Sequence, residues 1–269
     1  MSDFDQLIEA NRANWNDRTR LHRRSAYYDL PGFLAGASSL FPLEQTEVGP
    51  VAGKRLLHLQ CHMGLDTLSW ARLGASATGV DISDEAIDTA RSLADRLDLE
   101  GTFVRANVYD LPDLLDEQFD IVFATYGVLC WIPDMTRWAA VAARFVAPGG
   151  FLYLADGHPL SHILADEAPV LDPGFGYFHQ SEPWRFEGHG SYVEETAVFE
   201  NPVCYEWQHH LGEIVTAVIQ AGLTLEFLHE HPFSSYPRLP QMTRDEQGLW
   251  HLPGDPLPLQ FSLRASKQA

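Results

Sequence analysis

Positive charge is scarce in this chain. Its 269 residues include 18 lysines and arginines against 37 aspartates and glutamates, which gives a formal net charge of −19. Proteins that bind the phosphates of nucleic acids or the anionic surface of a membrane need a basic face. We therefore expect neither nucleic acid nor a membrane as a partner, and a small-molecule substrate instead.

Cysteine pairs and long apolar runs are also missing. The three cysteines, Cys61, Cys130 and Cys204, are scattered and are expected to be small buried hydrophobes. No stretch reaches the roughly 18 apolar residues of a membrane-spanning helix. The N-terminus, MSDFDQLIEANRANW, has neither the basic start nor the apolar segment of a signal peptide. These absences predict a cytoplasmic protein, and for its assembly we expect a monomer or a homodimer.

What the sequence does contain is an alternation of strand and helix patterns. Amphipathic segments with a 3.6-residue period separate short apolar segments, and Asp66 and Ser83 are placed to cap two of the helices. Apolar strands that alternate with helices form a parallel sheet covered on both faces, so we predict a doubly wound, Rossmann-like α/β fold. Two strands near the C-terminus, separated by a Pro-rich loop, predict an antiparallel pair. The first five strands are predicted at residues 55–60, 77–82, 102–106, 119–125 and 151–155.

No repeat, low-complexity tract or linker divides the chain, so we expect one domain over residues 1–269. Within it we distinguish four segments by their patterns. They are an N-terminal helical cap (1–50), a cofactor-binding core (51–156), an irregular substrate-side insertion (157–207) and a C-terminal helix with a strand pair (208–269).

Polar residues follow the first two predicted strands at the edge where doubly wound sheets bind ligands. The turn at 58–66 opens a helix, whose backbone N–H groups can face a ligand. Asp81 ends the second strand, so its carboxylate can accept both hydroxyls of a ribose. Ile82 beside it offers an apolar face for a purine.

The next two strands end in similar positions. Asn107 and Val108 follow the third strand, where a side-chain amide can meet the amino group of an adenine and a backbone N–H can meet a ring nitrogen. Thr125 and Tyr126 follow the fourth strand, where the remaining part of the cofactor would lie. All four strand ends should converge on one ligand site.

Four segments in this order resemble the successive motifs of class I S-adenosylmethionine-dependent methyltransferases: GVDISDEAIDTAR, ANVYDLP, FDIVFATYGVLCWIPD and APGGFLYLAD. The resemblance covers residues 55–156, and the segments AGLTLEFLHE and LQFSLRA resemble the last two strands of that fold. It implies a seven-stranded, mostly parallel sheet with an antiparallel last strand. It also implies S-adenosyl-L-methionine as cofactor and methyl transfer to oxygen or nitrogen of a small or medium organic metabolite.

The first motif departs from the family pattern D-x-G-x-G-x-G. The sequence HLQCHMG keeps only the last glycine, Gly64, while Gln60 and His62 stand at two glycine positions. His58 stands where an acid normally helps to hold the ammonium group of the cofactor. The resemblance thus implies cofactor contacts from His58, Gln60 and Gly64, and we add Trp15 of the N-terminal helix.

Other functions fit the residues less well. A nicotinamide-dependent oxidoreductase shares the acid at the end of strand two but needs G-x-G-x-x-G after strand one, which residues 60–65 lack. Lys54 lacks the spacing of a phosphate-binding loop, and no G-x-S-x-G of a serine hydrolase occurs. The altered glycine loop leaves open a non-catalytic protein that binds S-adenosylmethionine or regulates another.

Twelve histidines raise the question of a metal site. No H-E-x-x-H motif and no cysteine pair supports zinc, and Pro159 interrupts the one spacing of four. We therefore expect solvated or structural histidines and no metal. The closely spaced histidines are His158 and His162, His209 and His210, and His229 and His231.

The acceptor is expected near His158, which follows the fifth strand. A hydroxyl acceptor needs a base, and histidine titrates near neutral pH, so His158 is the candidate base. Arg18 or Arg185 could pair with a carboxylate of the substrate. Candidate substrate contacts are Arg18, Tyr28, His162, Phe178 and Trp184. Further aromatic or histidine residues expected in the pocket wall are Phe175, Tyr177, His179, Phe186, His189, Tyr192, Tyr205 and Trp207.

Overall fold

The computed structural model describes residues 3–166, 170–172, 174–188 and 190–269. The predicted wall residue His189 lies outside the described residues. Among the helices within these ranges, none combines the length and the apolar character that crossing a bilayer requires.

Seven strands form the main sheet in the order β3-β2-β1-β4-β5-β7-β6. Neighbours from β3 to β5 run parallel, whereas β7 runs antiparallel to both β5 and β6. This arrangement confirms the predicted mostly parallel sheet with an antiparallel last strand. In chain order the strands are β1 (Arg55–Leu59), β2 (Ser76–Asp81), β3 (Gly101–Arg105), β4 (Phe119–Thr125), β5 (Val146–Gly157), β6 (Thr224–His231) and β7 (Gln260–Ser266).

Helices cover both faces of this sheet. Two short 3-10 helices, Val108–Asp113 and Leu129–Trp131, follow β3 and β4. The α-helices are α1 (Asp3–His22), α2 (Leu30–Leu34), α3 (Pro42–Val48), α4 (Leu65–Arg72), α5 (Asp84–Leu97), α6 (Met135–Phe145), α7 (Pro159–His162) and α8 (Leu211–Gln220).

Alternate residues of the central strand β4 show how the core is divided. Val122 and Ala124 belong to a buried cluster with Trp138 of α6. Ile121 and Phe123 point to the other face, where they pack with Trp70 of α4. Because both faces of the strand are covered, its side chains are apolar on both sides, as the sequence pattern predicted.

The predicted cap of α5 is confirmed, and that of α4 is wrong. The Ser83 hydroxyl accepts a hydrogen bond from the Ala86 backbone N–H at 3.1 Å. Helix α4 instead begins after Gly64, whose backbone has a φ of 71°. Asp66 therefore lies inside the first turn, and its Oδ1 accepts a hydrogen bond of 2.6 Å from the Ser39 hydroxyl.

The insertion contains more regular structure than the sequence predicted. Besides α7 it forms a two-stranded antiparallel ribbon, Trp184–Glu187 with Val203–Glu206. Helix α1 holds this ribbon, because the side chain of Asn11 bonds the backbone N and O of Tyr205 at 2.7 and 2.8 Å. The chain segment that connects β6 to β7 forms a small three-stranded sheet. Its strands are Phe233–Ser234, Thr243–Arg244 and Trp250–His251.

Candidate functional site

A cavity of about 1040 Å³ opens at the carboxyl ends of β1, β2 and β4. Small-molecule pockets occupy roughly 300–1,000 Å³, so this cavity has room for a cofactor and a second molecule. The predicted cofactor contacts that line it are Trp15, His58, Gln60, Asp81, Ile82, Asn107, Val108, Thr125 and Tyr126. The predicted substrate contacts that line it are Arg18, Tyr28, His162 and Trp184.

The structure places two predicted contact residues away from this lining. A Cβ atom on Gly64 would lie 2.5 Å from Cε1 of Phe103, so the absent side chain serves close packing beneath the loop. Phe178 is 67% exposed, and its ring packs against His210 at a centroid distance of 5.2 Å. Both residues therefore lie outside the cavity lining.

The placement of His158 does not fit a general base. Its ring is buried, and Nδ1 accepts a hydrogen bond from the Leu160 N–H at 3.1 Å. In a neutral ring the proton is therefore on Nε2, which lies 2.9 Å from Oε1 of Glu230. The ring is not part of the cavity lining, and its Nε2 is directed at Glu230 on β6 instead. His162, one turn later, does line the cavity.

The loop that follows β1 (residues 60–64, called the β1 loop below) holds two non-glycine residues in backbone conformations that favour glycine. Gln60 and His62 have φ angles of 57° and 48°, in the left-handed region where glycine is favoured. The Gln60 side chain donates to the Val128 carbonyl at 2.9 Å and accepts from Nε1 of Trp138 at 3.0 Å. These bonds tie the loop to the β4 loop and to α6.

His62 holds the other side of this loop. Its backbone N–H donates to Oδ2 of Asp81 at 2.8 Å. Its ring lies among three others, with centroid distances of 5.4 Å to Trp15, 5.1 Å to His22 and 5.2 Å to Tyr28. Burial lowers the pKa of His62 to about 3, so the ring is neutral and acts as an apolar contact.

Asp81 ends β2 at the cavity, as the sequence predicted. Its second oxygen accepts the backbone N–H of Ser83 at 2.8 Å, which fixes the carboxylate on both sides. Burial raises the pKa of Asp81 to about 6, although the backbone hydrogen bonds act in the opposite direction. Each oxygen keeps a further lone pair, so the group can still accept two hydroxyls.

Asn107 also lines the cavity, and its side-chain oxygen bonds a backbone N–H two residues later. Its Oδ1 accepts the Tyr109 N–H at 3.1 Å and thereby caps the 3-10 helix Val108–Asp113. The remaining Nδ2 group can donate to a ring nitrogen. Oδ1 keeps a second lone pair, so the contact with an adenine amino group stays a prediction.

His58 cannot supply the negative charge of the acid that it replaces. The ring is buried, its Nδ1 lies 2.9 Å from the Thr67 hydroxyl, and burial lowers its pKa to about 3. A neutral ring provides no counter-charge for an ammonium group.

Asp66 is an acid of this site that sequence reasoning missed. It lines the cavity, and the Thr125 hydroxyl at the end of β4 lies 3.5 Å from its Oδ2. Burial raises its pKa to about 6. The capping pattern hid this residue, because only the tertiary structure brings the first turn of α4 against the end of β4.

Glu44 of α3 adds a second buried carboxyl group behind Asp66. The Tyr126 hydroxyl donates to its Oε2 at 2.6 Å, and the Phe41 N–H donates to its Oε1 at 2.6 Å. Burial and the charge of Asp66 raise the pKa of Glu44 to about 8. Near neutral pH Glu44 is therefore largely protonated, which leaves Asp66 as the acid facing the cavity.

Asp156 at the end of β5 fixes the loop that follows β4. It is buried and accepts the backbone N–H groups of Val128 at 3.1 Å, Leu129 at 2.9 Å and Gly157 at 2.7 Å. A carboxylate with several N–H donors holds the chain in one conformation. The only sequence signal for this role is the position of the acid at a strand end.

The outer part of the cavity is aromatic with a few cations. The Arg18 guanidinium lies 5.6 to 5.7 Å from the ring centroids of Trp15, Trp131 and Phe199. Arg185, the alternative predicted partner for a carboxylate, is instead exposed and pairs with Glu187 at 2.6 Å. Lining residues that sequence reasoning missed come from the C-terminal segment and are Tyr236, Arg238, Arg244 and Trp250.

Comparison with known proteins agrees with this geometry. Residues 57–154 match the family described as a methyltransferase domain. The segment 57–154 is therefore a methyltransferase domain. S-adenosyl-L-methionine is the cofactor of such domains, and the carboxylates of Asp81 and Asp66 at one cavity suit its ribose hydroxyls and its ammonium group.

The relatives of this methyltransferase domain are similar over part of their length. The ubiquinone biosynthesis O-methyltransferase of Alkalilimnicola ehrlichii is 32% identical over 147 residues, which cover 52% of this chain and 59% of that protein. The corresponding enzyme of Shewanella pealeana is 27% identical over 135 residues, which cover 49% and 57%. The chain thus spans less than two thirds of the length of these relatives.

Solved structures share the fold of the methyltransferase domain over most of the chain. An S-adenosylmethionine-dependent methyltransferase from Mesorhizobium loti matches with a TM-score of 0.60 at 20% identity, covering 86% of this chain and 99% of that one. A DhpI–SAH complex matches with a TM-score of 0.57 at 17% identity, covering 97% of each chain. At these identities the likeness concerns the fold.

Proposed function

We propose that this protein is an enzyme that transfers a methyl group from S-adenosyl-L-methionine to oxygen or nitrogen of a small or medium organic metabolite. The observation that carries the proposal is the fixed carboxylate of Asp81 at the end of β2, on the wall of a cavity large enough for two molecules. The family match to a methyltransferase domain supports the same reaction.

The adenosine part of the cofactor is assigned to the β2 and β3 ends. Asp81 accepts the two ribose hydroxyls, and Ile82 and Val108 contact the purine. Asn107 can accept the adenine amino group through the second lone pair of Oδ1 or donate through Nδ2 to a ring nitrogen. Bonds to a charged acceptor contribute about 1.5–3 kcal/mol each, so Asp81 dominates this half of the site.

The ammonium group of the cofactor is assigned to Asp66 rather than His58. Asp66 is the cavity-lining acid next to Thr125, whereas the ring of His58 is neutral. An ammonium group beside Asp66 would offset the burial that raises the pKa of this carboxyl. The acid absent from the first motif is thereby supplied from the following helix.

The bound cofactor supplies a methyl group that is already activated on a sulfonium. The chain then has to align the acceptor and exclude water. The rings of Trp15, Tyr28 and Trp131 close one side of the cavity. His162 lines the cavity, and burial lowers its pKa, so its neutral ring can orient an acceptor or take its proton.

The acceptor chemistry follows from the outer walls of the cavity. Aromatic side chains favour an acceptor with an apolar or aromatic body. Arg18, Arg238 and Arg244 line the same space and can bind an acidic group on that body. Transfer to oxygen would agree with the named activity of the relatives in ubiquinone biosynthesis.

Two cofactor analogues test the assignments of Asp81 to the ribose and of Asp66 to the ammonium group. Isothermal titration with S-adenosylhomocysteine and with 5′-methylthioadenosine separates the two ends, since the second ligand lacks the amino-acid part. We expect Asp81→Asn to weaken both ligands about tenfold or more, and Asp66→Asn to weaken only S-adenosylhomocysteine by a similar factor.

Asp84→Asn is the matched control for these variants. Asp84 begins α5 close to Asp81, but it pairs with Arg12 at 2.6 Å and does not line the cavity. The control should bind both ligands as the wild type does. Failure of the wild type to bind S-adenosylhomocysteine at millimolar concentration would refute the proposed function, and equal loss of both ligands in Asp66→Asn would refute the ammonium assignment alone.

A further inference from the structure

Three metal-ligating side chains meet at the start of α8, outside the cavity. The ligand atoms of His179, His209 and Glu213 all lie within 4.8 Å of one another. Oε2 of Glu213 lies 3.2 Å from Nδ1 of His209 and 3.5 Å from Nδ1 of His210. The cluster joins the insertion to the N-terminus of α8.

Backbone carbonyls set the tautomers of two of these histidines. Nε2 of His209 lies 2.5 Å from the Ile132 carbonyl oxygen, and Nδ1 of His179 lies 2.9 Å from that of Gln208. A carbonyl only accepts, so these nitrogens carry the protons. In the neutral rings the opposite nitrogens hold lone pairs, which is the usual arrangement of histidines that bind a metal.

The lone pair of His209 is buried against another acceptor. Its side chain is 1% exposed, and neither Nδ1 nor Oε2 of Glu213 makes a hydrogen bond with any residue that the structure describes. Two acceptors that face each other at 3.2 Å repel unless a cation lies between them. Buried polar groups without a partner are rare, so this pair indicates a missing positive species.

The spacing of the donor atoms fits a tetrahedrally coordinated metal ion. Zinc bonds of about 2.0–2.1 Å place neighbouring ligand atoms roughly 3.3–3.5 Å apart in a tetrahedron. The 3.2 Å separation of Glu213 Oε2 from Nδ1 of His209 is close to this value. Imidazole nitrogens with one carboxylate are a donor set that suits zinc, cobalt or nickel rather than calcium or magnesium.

We propose that His179, His209 and Glu213 bind a divalent transition-metal ion such as zinc. The ion would tie the insertion to α8 and, through the Ile132 carbonyl, to the loop after β4. Because Phe175 of the same insertion lines the cavity, the ion would hold one cavity wall in place. This proposal departs from the sequence expectation of no metal, since residue 179 lies far in sequence from the other two ligands.

Metal titration of the full chain tests the proposal. Protein treated with a chelator and dialysed would be titrated with Zn²⁺ in competition with a chromophoric chelator, and with Co²⁺ as a spectroscopic probe. We expect one equivalent of either ion, with the intense visible bands that tetrahedral Co²⁺ shows. Ion binding should also raise the thermal midpoint of the wild type.

His179→Gln and Glu213→Gln each remove one ligand, while His229→Gln is a control on β6, where His229 pairs with Glu47 at 2.7 Å. We expect the first two variants to bind Zn²⁺ at least about tenfold more weakly and to lose the tetrahedral Co²⁺ spectrum. The control should match the wild type.

Two results would refute the proposed metal site. One is a wild type that binds no ion, which would mean that a proton on His209 neutralises Glu213. The other is a Zn²⁺ affinity in both ligand variants equal to that of the control. The wild-type spectrum decides the question even where a variant fails to fold, and titration with S-adenosylhomocysteine keeps this result separate from the proposed function.

Discussion

At the scale of single residues, the β1 loop shows how a methyltransferase core can replace glycines. Left-handed conformations cost non-glycine residues about 1–2 kcal/mol each. Gln60 offsets that cost with hydrogen bonds to Val128 and Trp138, and His62 offsets it by packing among Trp15, His22 and Tyr28. The loop is rigid because side chains hold it.

Buried neutral histidines make this region sensitive to acid. Burial, His62 and Arg18 lower the pKa of His22 to about 2, against about 6.5 in the unfolded chain. Below pH 6.5 the unfolded chain takes up a proton that the folded chain does not, so stability falls as the pH falls. From pH 7.5 to pH 5 the loss for this residue is about 2 kcal/mol.

His22→Gln should remove that part of the pH dependence. The amide can still reach the Ser191 hydroxyl, which lies 2.7 Å from Nε2 of His22. Urea unfolding at pH 7.5 and pH 5 should show a difference in the free energy of unfolding about 2 kcal/mol smaller than in the wild type. The exposed His229→Gln serves as control, and an unchanged difference in His22→Gln would contradict the assignment.

At the scale of elements, the start of α4 depends on close packing beneath the β1 loop. Gly64 combines a φ of 71° with contacts in which an added Cβ would lie 2.5 Å from Phe103 and 2.9 Å from Ala90. Gly53 has a similar φ of 75° but nothing within 4 Å of its added Cβ. Comparing substitutions at these two glycines therefore separates the cost of backbone strain from the cost of steric overlap.

Alanine substitutions at these glycines should differ in cost. Gly53→Ala should lower the free energy of unfolding by about 1 kcal/mol, from the left-handed backbone alone. Gly64→Ala should lower it by about 3 kcal/mol, because overpacking adds to the same strain. Chemical denaturation of both variants measures the difference, and equal losses would show that β3 and α5 yield to the added methyl group.

At the scale of the whole molecule, the net charge of −19 acts on the entire fold. Like charges repel across a compact structure, and salt screens this repulsion over a Debye length of about 10 Å at 0.1 M. We expect the midpoint of thermal unfolding to rise by a few degrees between about 10 mM and 300 mM NaCl. KCl should have the same effect, and a falling midpoint would show that surface ion pairs outweigh the repulsion.

The placement of the segments also belongs to this scale. The division of the chain into cap, core, insertion and C-terminal segment stays a prediction, as do the cytoplasmic location and the monomer or homodimer. Helix α1 and the insertion ribbon are joined through Asn11 and Tyr205, so cap and insertion contact each other directly. No local sequence pattern predicts that contact, because 194 positions separate the two residues.

Local sequence patterns were enough to predict the main sheet, the helices that cover it and the position of Asp81. Those features follow from local periodicity, capping and the rule that parallel strands present their carboxyl ends at one edge. Long-range packing places Asp66 at the cavity, directs His158 away from it and brings His179 to Glu213. Such contacts join residues from different elements, and no local pattern records which side chains long-range packing brings together.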